Sequence, residues 1–139
     1  MIQKAERIIE AYQKVKPAGC GVIAMDGRAA AGKTTLAEEL AVTLGGAVVH
    51  MDDFFLPGEL RTPERLAAPG GNVHAERFAE EVLPYLRRGE AFRYRRFDCH
   101  RMDYNGWVEI PTVPVIIVEG AYSQYPQFGH YADLTVFCD

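Results

Sequence analysis

The chain has 139 residues, 48% of them apolar and 24% charged, enough to bury about two thirds of the unfolded surface in a single domain, residues 1–139. Its net charge of −4 argues against a broad nucleic-acid surface, since phosphate-backbone affinity rests on clustered lysines and arginines, and it favours a small-molecule partner. Cys20, Cys99 and Cys138 are far apart and lack Cys-x-x-Cys spacing, so they read as reduced thiols rather than a disulfide framework or zinc site. The N-terminus has no signal-peptide core, and the longest apolar run, residues 113–118, is too short to span a bilayer. The expectation is a cytoplasmic protein without a membrane or nucleic-acid partner; its oligomeric state is not indicated.

Ile2, Ala5, Ile8, Ile9, Tyr12 and Val15 recur at spacings of three and four among charged residues, predicting an amphipathic helix over residues 1–17 that stops near Pro17-Ala18-Gly19. It docks either on its own domain or on a partner. Gly21-Val22-Ile23-Ala24-Met25 reads as a buried strand. It feeds Gly27-Arg28-Ala29-Ala30-Ala31-Gly32-Lys33-Thr34-Thr35, which fits G-x-x-x-x-G-K-[ST] at every fixed position. A random chain of this length would match with a probability on the order of one in two hundred. Leu36, Leu40, Ala41 and Leu44 follow at helical spacing, the context such a loop needs.

In that loop the backbone N–H groups from Gly27 through Ala29, Ala30 and Ala31 to Gly32 would point at phosphate oxygens, with the helix dipole behind them. Lys33 would reach the β and γ phosphates, Thr34 would offer its hydroxyl to magnesium, and Thr35 would bind the α phosphate. Arg28 either touches phosphate or is solvated. The ligands expected are ATP and Mg2+.

Gly45-Gly46 closes the helix, and Ala47-Val48-Val49-His50-Met51 reads as a second strand ending in Asp52-Asp53-Phe54-Phe55. Ligands of open α/β sheets bind at the carboxyl ends of strands, so both acids face the crevice that holds the loop. Asp52 is placed to take the proton of an attacking alcohol or to hold a metal-bound water; an acid there also serves simply to cap a turn. Asp53 is the second candidate. Residues 57–73 carry six prolines and glycines and read as a loop able to close over substrate. Phe78, Val82, Leu83 and Leu86 predict a helix over residues 74–88, with Pro84 as a kink.

Residues 91–112 read as a β-hairpin: Phe92-Arg93-Tyr94-Arg95-Arg96-Phe97-Asp98, a turn at Tyr104-Asn105-Gly106, then Trp107-Val108-Glu109-Ile110. Its rings could stack on a flat base and Asp98 accept from hydroxyls; equally, alternate aromatics pack down on a solvated hairpin. Residues 113–118 are apolar without alternation, as for a strand covered on both faces, and end at Glu119-Gly120. Glu119 stands where a second acid would serve magnesium, or pairs with a backbone amide. Leu134-Thr135-Val136-Phe137 is a fourth strand. No histidine pair has metal-ligand spacing and no G-x-S-x-G occurs.

With the loop, Met51-Asp52-Asp53-Phe54-Phe55, Tyr94-Arg95-Arg96-Phe97-Asp98, Val118-Glu119-Gly120 and Val136-Phe137-Cys138-Asp139 in order, the chain resembles the uridine kinase family from about residue 18 onward. The resemblance implies an α/β, three-layer P-loop NTPase fold: a mostly parallel sheet flanked by helices, with a small β-hairpin insertion. It implies that Asp52 is the catalytic base or metal-linked acid and that Thr34 and Glu119 serve magnesium. Phe97-Asp98 stands at the family's Tyr-Asp acceptor motif, with Asp53, Tyr94, Arg96 and Arg101 on the acceptor side. The activity implied is transfer of the ATP γ phosphate to the 5′ hydroxyl of uridine or cytidine.

Two departures stand out. Where the family has Asp-His-Pro gripping the ribose, this chain reads Asn72-Val73-His74-Ala75-Glu76. The family also continues into an arginine-bearing lid, a fifth strand and an adenine loop, so a truncated chain that binds phosphates but turns over poorly alone is expected. A non-nucleoside acceptor, a non-catalytic nucleotide-binding module and a GTPase-like switch stay open; the guanine-reading Asn-Lys-x-Asp is not in the chain.

Overall fold

The computed structural model describes residues 2–15, 19–27 and 32–138. Helix α1 (Ile2–Gln13) leads to strand β1 (Gly21–Gly27), helix α2 (Lys33–Leu44) and strand β2 (Ala47–His50). A 3-10 turn over Met51–Phe54 follows, then short helices α3 (Pro63–Ala67) and α4 (Ala75–Glu81). Strands β3 (Phe92–Asp98) and β4 (Asp103–Ile110) form a separate antiparallel pair, and β5 (Val115–Glu119) and β6 (Leu134–Cys138) complete the main sheet. That sheet is parallel with the order β2-β5-β1-β6, so β5 and β1 lie in its centre.

Strand side chains alternate between two apolar layers. Ile23 and Met25 of β1, with Val115 and Ile117 of β5, pack against Ala5 and Ile8 of α1 and Leu36, Ala37 and Leu40 of α2. Val22, Val49, Ile116 and Val118 face the other way, onto Phe54, Phe78, Val82, Leu86 and Tyr94. Each buried Val, Leu, Ile, Phe or Met among them contributes about 1.5–3 kcal/mol. Both faces are covered, which is why β5 reads as a continuous apolar run; all five of its residues are buried. Ala5, Ile8, Ile9 and Tyr12 of the α1 stripe pack on the chain's own α2 and sheet.

Three expectations change. The hairpin does not turn at Asn105-Gly106; it turns at residues 99–102, with Met102 at φ 53°. Asp98 caps that turn, accepting from the backbone N–H of His100 at 2.9 Å. Asn105-Gly106 instead lies inside β4, where two residues oppose the single Arg96 between the pairs Arg95–Trp107 and Phe97–Tyr104. With Gly106 at φ 78°, the Asn-Gly signal marks a bulge rather than a turn.

Residues 57–73 also contain α3, started by Pro63 and capped by the Thr62 hydroxyl, which accepts from Arg65 N–H at 3.1 Å. The helix expected over residues 74–88 is α-helical only to Glu81 and continues as a 3-10 turn over Leu83–Tyr85. Pro84 has no N–H to extend the α-helical ladder. Pro17, Ala18 and Asp139, parts of the helix stop and of the last motif, lie outside the described residues.

Candidate active site

The end of β1 delivers the phosphate loop. Gly27 has φ 139°, and a Cβ there would sit 2.0 Å from the Cys138 carbonyl oxygen, so no other residue fits beside β6. Gly32, at φ 77°, stands at the N-cap of α2, another backbone angle that a side chain disfavours. Lys33 is buried at 7% exposure and its Nζ donates to the Gly27 carbonyl at 2.9 Å. Arg28, Ala29, Ala30 and Ala31 lie outside the described residues.

Beside the loop, Glu119 ends β5 in register with His50 at the end of β2. The Thr34 hydroxyl donates to its Oε1 at 3.0 Å, and His50 Nδ1 lies 3.0 Å from Oε2. Burial works to raise the Glu119 carboxyl, but the hydrogen bonds from His50 and Thr34 and the nearby Lys33 charge outweigh it and hold its pKa below the usual range. The bond to Glu119 raises His50 in turn, against desolvation. An ionised carboxylate beside a hydroxyl at a phosphate loop is the hard-oxygen donor set that magnesium takes, with one or two protein ligands and the rest from phosphate and water. The residues present fit that ion.

A cavity of about 390 Å³ is lined by Gly32, Lys33, Thr34, Thr35, Asp52, Glu119, Gly120 and Ala121. A second, of about 320 Å³, opens among Met51, Asp52, Phe54, Phe55, Asn72, Val73, Cys99, Ala121 and Tyr122. Asp52 and Ala121 line both. The 3-10 turn after β2 splits the two acids: Asp52 is exposed at the junction, whereas Asp53 is buried.

Asp53 accepts from the Tyr94 hydroxyl at 2.8 Å and pairs with Arg96 at 3.5 Å. Tyr94 is fully buried; burial and the neighbouring Asp53 carboxylate drive its hydroxyl pKa up. Phe97 is buried and stacks nearly parallel to Phe55 at 6.4 Å. Asp98 and Arg101 belong to the hairpin turn. Asp53, Tyr94, Arg96, Phe97, Asp98 and Arg101 are therefore gathered behind and beside the second cavity, and none of them lines either one.

Of the wall residues, Asn72 and Val73 fall in the stretch read from sequence as a loop able to close over substrate, whereas Cys99, Ala121 and Tyr122 were not singled out as ligand contacts. Tyr122 has φ 66°, a strained backbone for a residue with a side chain. Asp26, just before the loop, holds it there by accepting from the N–H groups of Tyr122 and Gln124, both at 3.1 Å, and of Gly27 at 2.7 Å. Ser123 Oγ donates to Met25 O at 2.9 Å, so the segment after β5 is clamped onto the end of β1. No local sequence signal announces this clamp, whose partners are about a hundred residues apart.

Sheet order, loop and strand-end acids together give the chain the fold of the phosphate-loop kinases. It is similar to the structure of a possible uridine kinase from Bacillus stearothermophilus, with a TM-score of 0.81 and 21% identity over 97% of this chain and 79% of that one. A structure described as a proposed fructose transport system kinase from Silicibacter sp. TM1040 matches with a TM-score of 0.74 and 26% identity, over 96% of this chain and 72% of that one. D-glycerate 3-kinase from Cryptococcus neoformans var. grubii matches with a TM-score of 0.57 and 21% identity, over 87% of this chain and 49% of the other. No protein-family model matches the sequence. Among the described residues no helix is long and apolar enough to cross a membrane.

Proposed function

We propose that this chain is an ATP-dependent kinase that moves the γ phosphate to a hydroxyl of a small cytoplasmic acceptor, nucleoside-like in size. The observation that carries the reading is the position of Asp52 at the junction of two cavities, one beside the phosphate loop and one walled by Phe54, Phe55, Asn72 and Tyr122. Triphosphate occupies the first and acceptor the second. Structural neighbours described as kinases support the class, and their names span a nucleoside, a sugar and a hydroxy acid.

The chain's residues divide the work. Lys33 places positive charge against the phosphates, and Gly32 presents the N-terminus of α2 to them. Thr34 and Glu119 would hold magnesium, which when bound neutralises phosphate charge. As the acceptor oxygen bonds to the γ phosphorus, the bond from that phosphorus to the β–γ bridging oxygen breaks and ADP leaves. Asp52 accepts the acceptor's proton, a contribution of about 10²–10⁴ in rate. The acceptor cavity's apolar walls keep competing water away from the γ phosphate.

ATP consumption measured with a panel of nucleosides, sugars and hydroxy acids tests the reading, with Asp52→Asn as control. ADP formation that depends on an acceptor and disappears in the variant is expected. Nucleotide binding with no turnover for any acceptor would replace the kinase with a binding module.

A further inference from the structure

The second cavity is closed on one side by Tyr122, the residue whose backbone sits at φ 66°. A side chain there crowds the following carbonyl, so the conformation persists only where surrounding bonds impose it. The Tyr122 ring lies against Gly70, where an added Cβ would stand 3.1 Å from it, and meets Tyr125 edge-on at 6.0 Å. The ring thus adjoins both the 57–73 loop and the cavity, and a change of φ at residue 122 would swing it off the wall.

The residues around Tyr122 are pinned to the sheet. Gly120 N–H donates to Met25 O at 3.0 Å, and Ser123 Oγ donates to the same oxygen at 2.9 Å. The Gln124 side-chain amide donates to Ala24 O at 3.0 Å and to Val136 O at 2.8 Å, bridging β1 and β6. None of these bonds reaches Tyr122.

Tyr122 O accepts locally, from Tyr125 N–H at 3.1 Å, and its own N–H goes to Asp26 Oδ1 at 3.1 Å. That oxygen also accepts from the N–H of Gly27, the first residue of the phosphate loop, at 2.7 Å, while Oδ2 takes Gln124 N–H at 3.1 Å. One carboxylate therefore ties the start of the loop to the strained residue of the wall. Hydrogen bonds to a carboxylate are roughly twice as strong as neutral ones, which is what a strained backbone needs from its partner.

We propose that Asp26 is a positioning residue for the acceptor: by fixing Tyr122 at positive φ, it holds the ring as the wall against which the acceptor sits beside Asp52. This rests on the kinase reading above and adds a residue that lines neither cavity and acts through another. Because the same oxygen serves Gly27, Asp26 also has a plain structural duty, which the two measurements below separate from the positioning one.

The first, amide hydrogen exchange of the full chain followed by NMR, needs no substrate. In Asp26→Ala the Tyr122 and Gln124 amides should exchange about tenfold or more faster, the scale of one lost bond to a carboxylate, while Ile117 and Val118 in the centre of the sheet change little. Asp26→Asn, whose remaining oxygen can still take Tyr122 N–H, should fall between the parent and Asp26→Ala, and it carries the same comparisons if Asp26→Ala does not fold. Uniform acceleration across the sheet, or none at Tyr122, overturns the proposal. The second measurement is turnover with the best acceptor of the panel above. Asp26→Ala should raise the acceptor KM several-fold in the parent but by less than about twofold in Tyr122→Gly, where no ring remains to be placed and glycine adopts this backbone unaided. Effects that pass through Gly27 occur in both backgrounds and cancel. An equal rise in both overturns the proposal, because Asp26 then acts other than through Tyr122. If the parent turns over no acceptor, the kinase reading falls, and the exchange rates alone decide whether Asp26 fixes Tyr122.

Discussion

Around the donor cavity every side chain comes from a place the sheet itself sets: Lys33 and Thr34 from the first turn of α2, Asp52 just past β2, Glu119 from the last residue of β5. The acceptor cavity is walled by four stretches far apart in sequence, namely residues 51–55, 72–73, 99 and 121–122, three of them in loops or turns after the strands and helices end. The first is held by strand pairing and a glycine that no side chain can replace; the second by side-chain packing and one strained tyrosine. The proposed donor half therefore tolerates little change, while the wall of the proposed acceptor half can vary without altering the fold.

Substitutions can break or sharpen that contrast. Lys33→Met should have the largest effect, lowering turnover by about 10²–10³, the usual cost of one preorganised charge on the transferring group. ADP formation measured under saturating acceptor checks it, and residual activity within a few-fold of normal would contradict the donor assignment. Gly27→Ala should act on the fold instead. Its Cβ would meet the Cys138 carbonyl, and prising β6 from β1 should cost about 1–3 kcal/mol in denaturant unfolding.

Tyr122→Gly probes the other half. Its φ of 66° suits glycine, so relief of strain should leave the melting temperature unchanged or raise it, a net gain of at most about 1 kcal/mol. The acceptor KM should nonetheless rise several-fold with the ATP KM unmoved. Equal changes in both constants would show that the halves are not separable.

The smallest effect concerns the loop behind the acceptor wall. Arg65 clamps Glu76 at 2.7 Å and also holds Val73 O at 3.1 Å. That pairing depresses the Glu76 pKa to about 2. A depressed folded-state value means stability that is present above the unfolded pKa of about 4.3 and is lost as pH falls toward the folded one. The pair is largely solvent-exposed, so the contribution is under about 1 kcal/mol. Urea unfolding at pH 5 and pH 2 should therefore show a slightly shallower acid loss for Glu76→Gln than for the parent chain.

Much of this was legible beforehand, unevenly. The parallel sheet, the loop and the acids at 52 and 119 follow from short local patterns: apolar runs of strand length, a fixed glycine-lysine spacing, an acid where a strand stops. The short helix α3 was missed although Thr62-Pro63 is a capping signature, because the surrounding prolines and glycines read as loop. Asn105-Gly106 misled because a glycine at positive φ serves a bulge as well as a turn, and only the partner strand tells which.

By itself the sequence determined where the proposed phosphate-binding chemistry would sit, since that chemistry depends on backbone N–H groups, a lysine and a hydroxyl within nine consecutive residues, 27–35. Tertiary structure alone decided which of Asp52 and Asp53 faces the crevice, a one-residue difference set by the 3-10 turn after β2. It also turned Tyr94 inward as the partner of Asp53 and brought Tyr122 and Asn72 to the wall of the second cavity. Such placements depend on packing between residues tens of positions apart, and no local pattern encodes them.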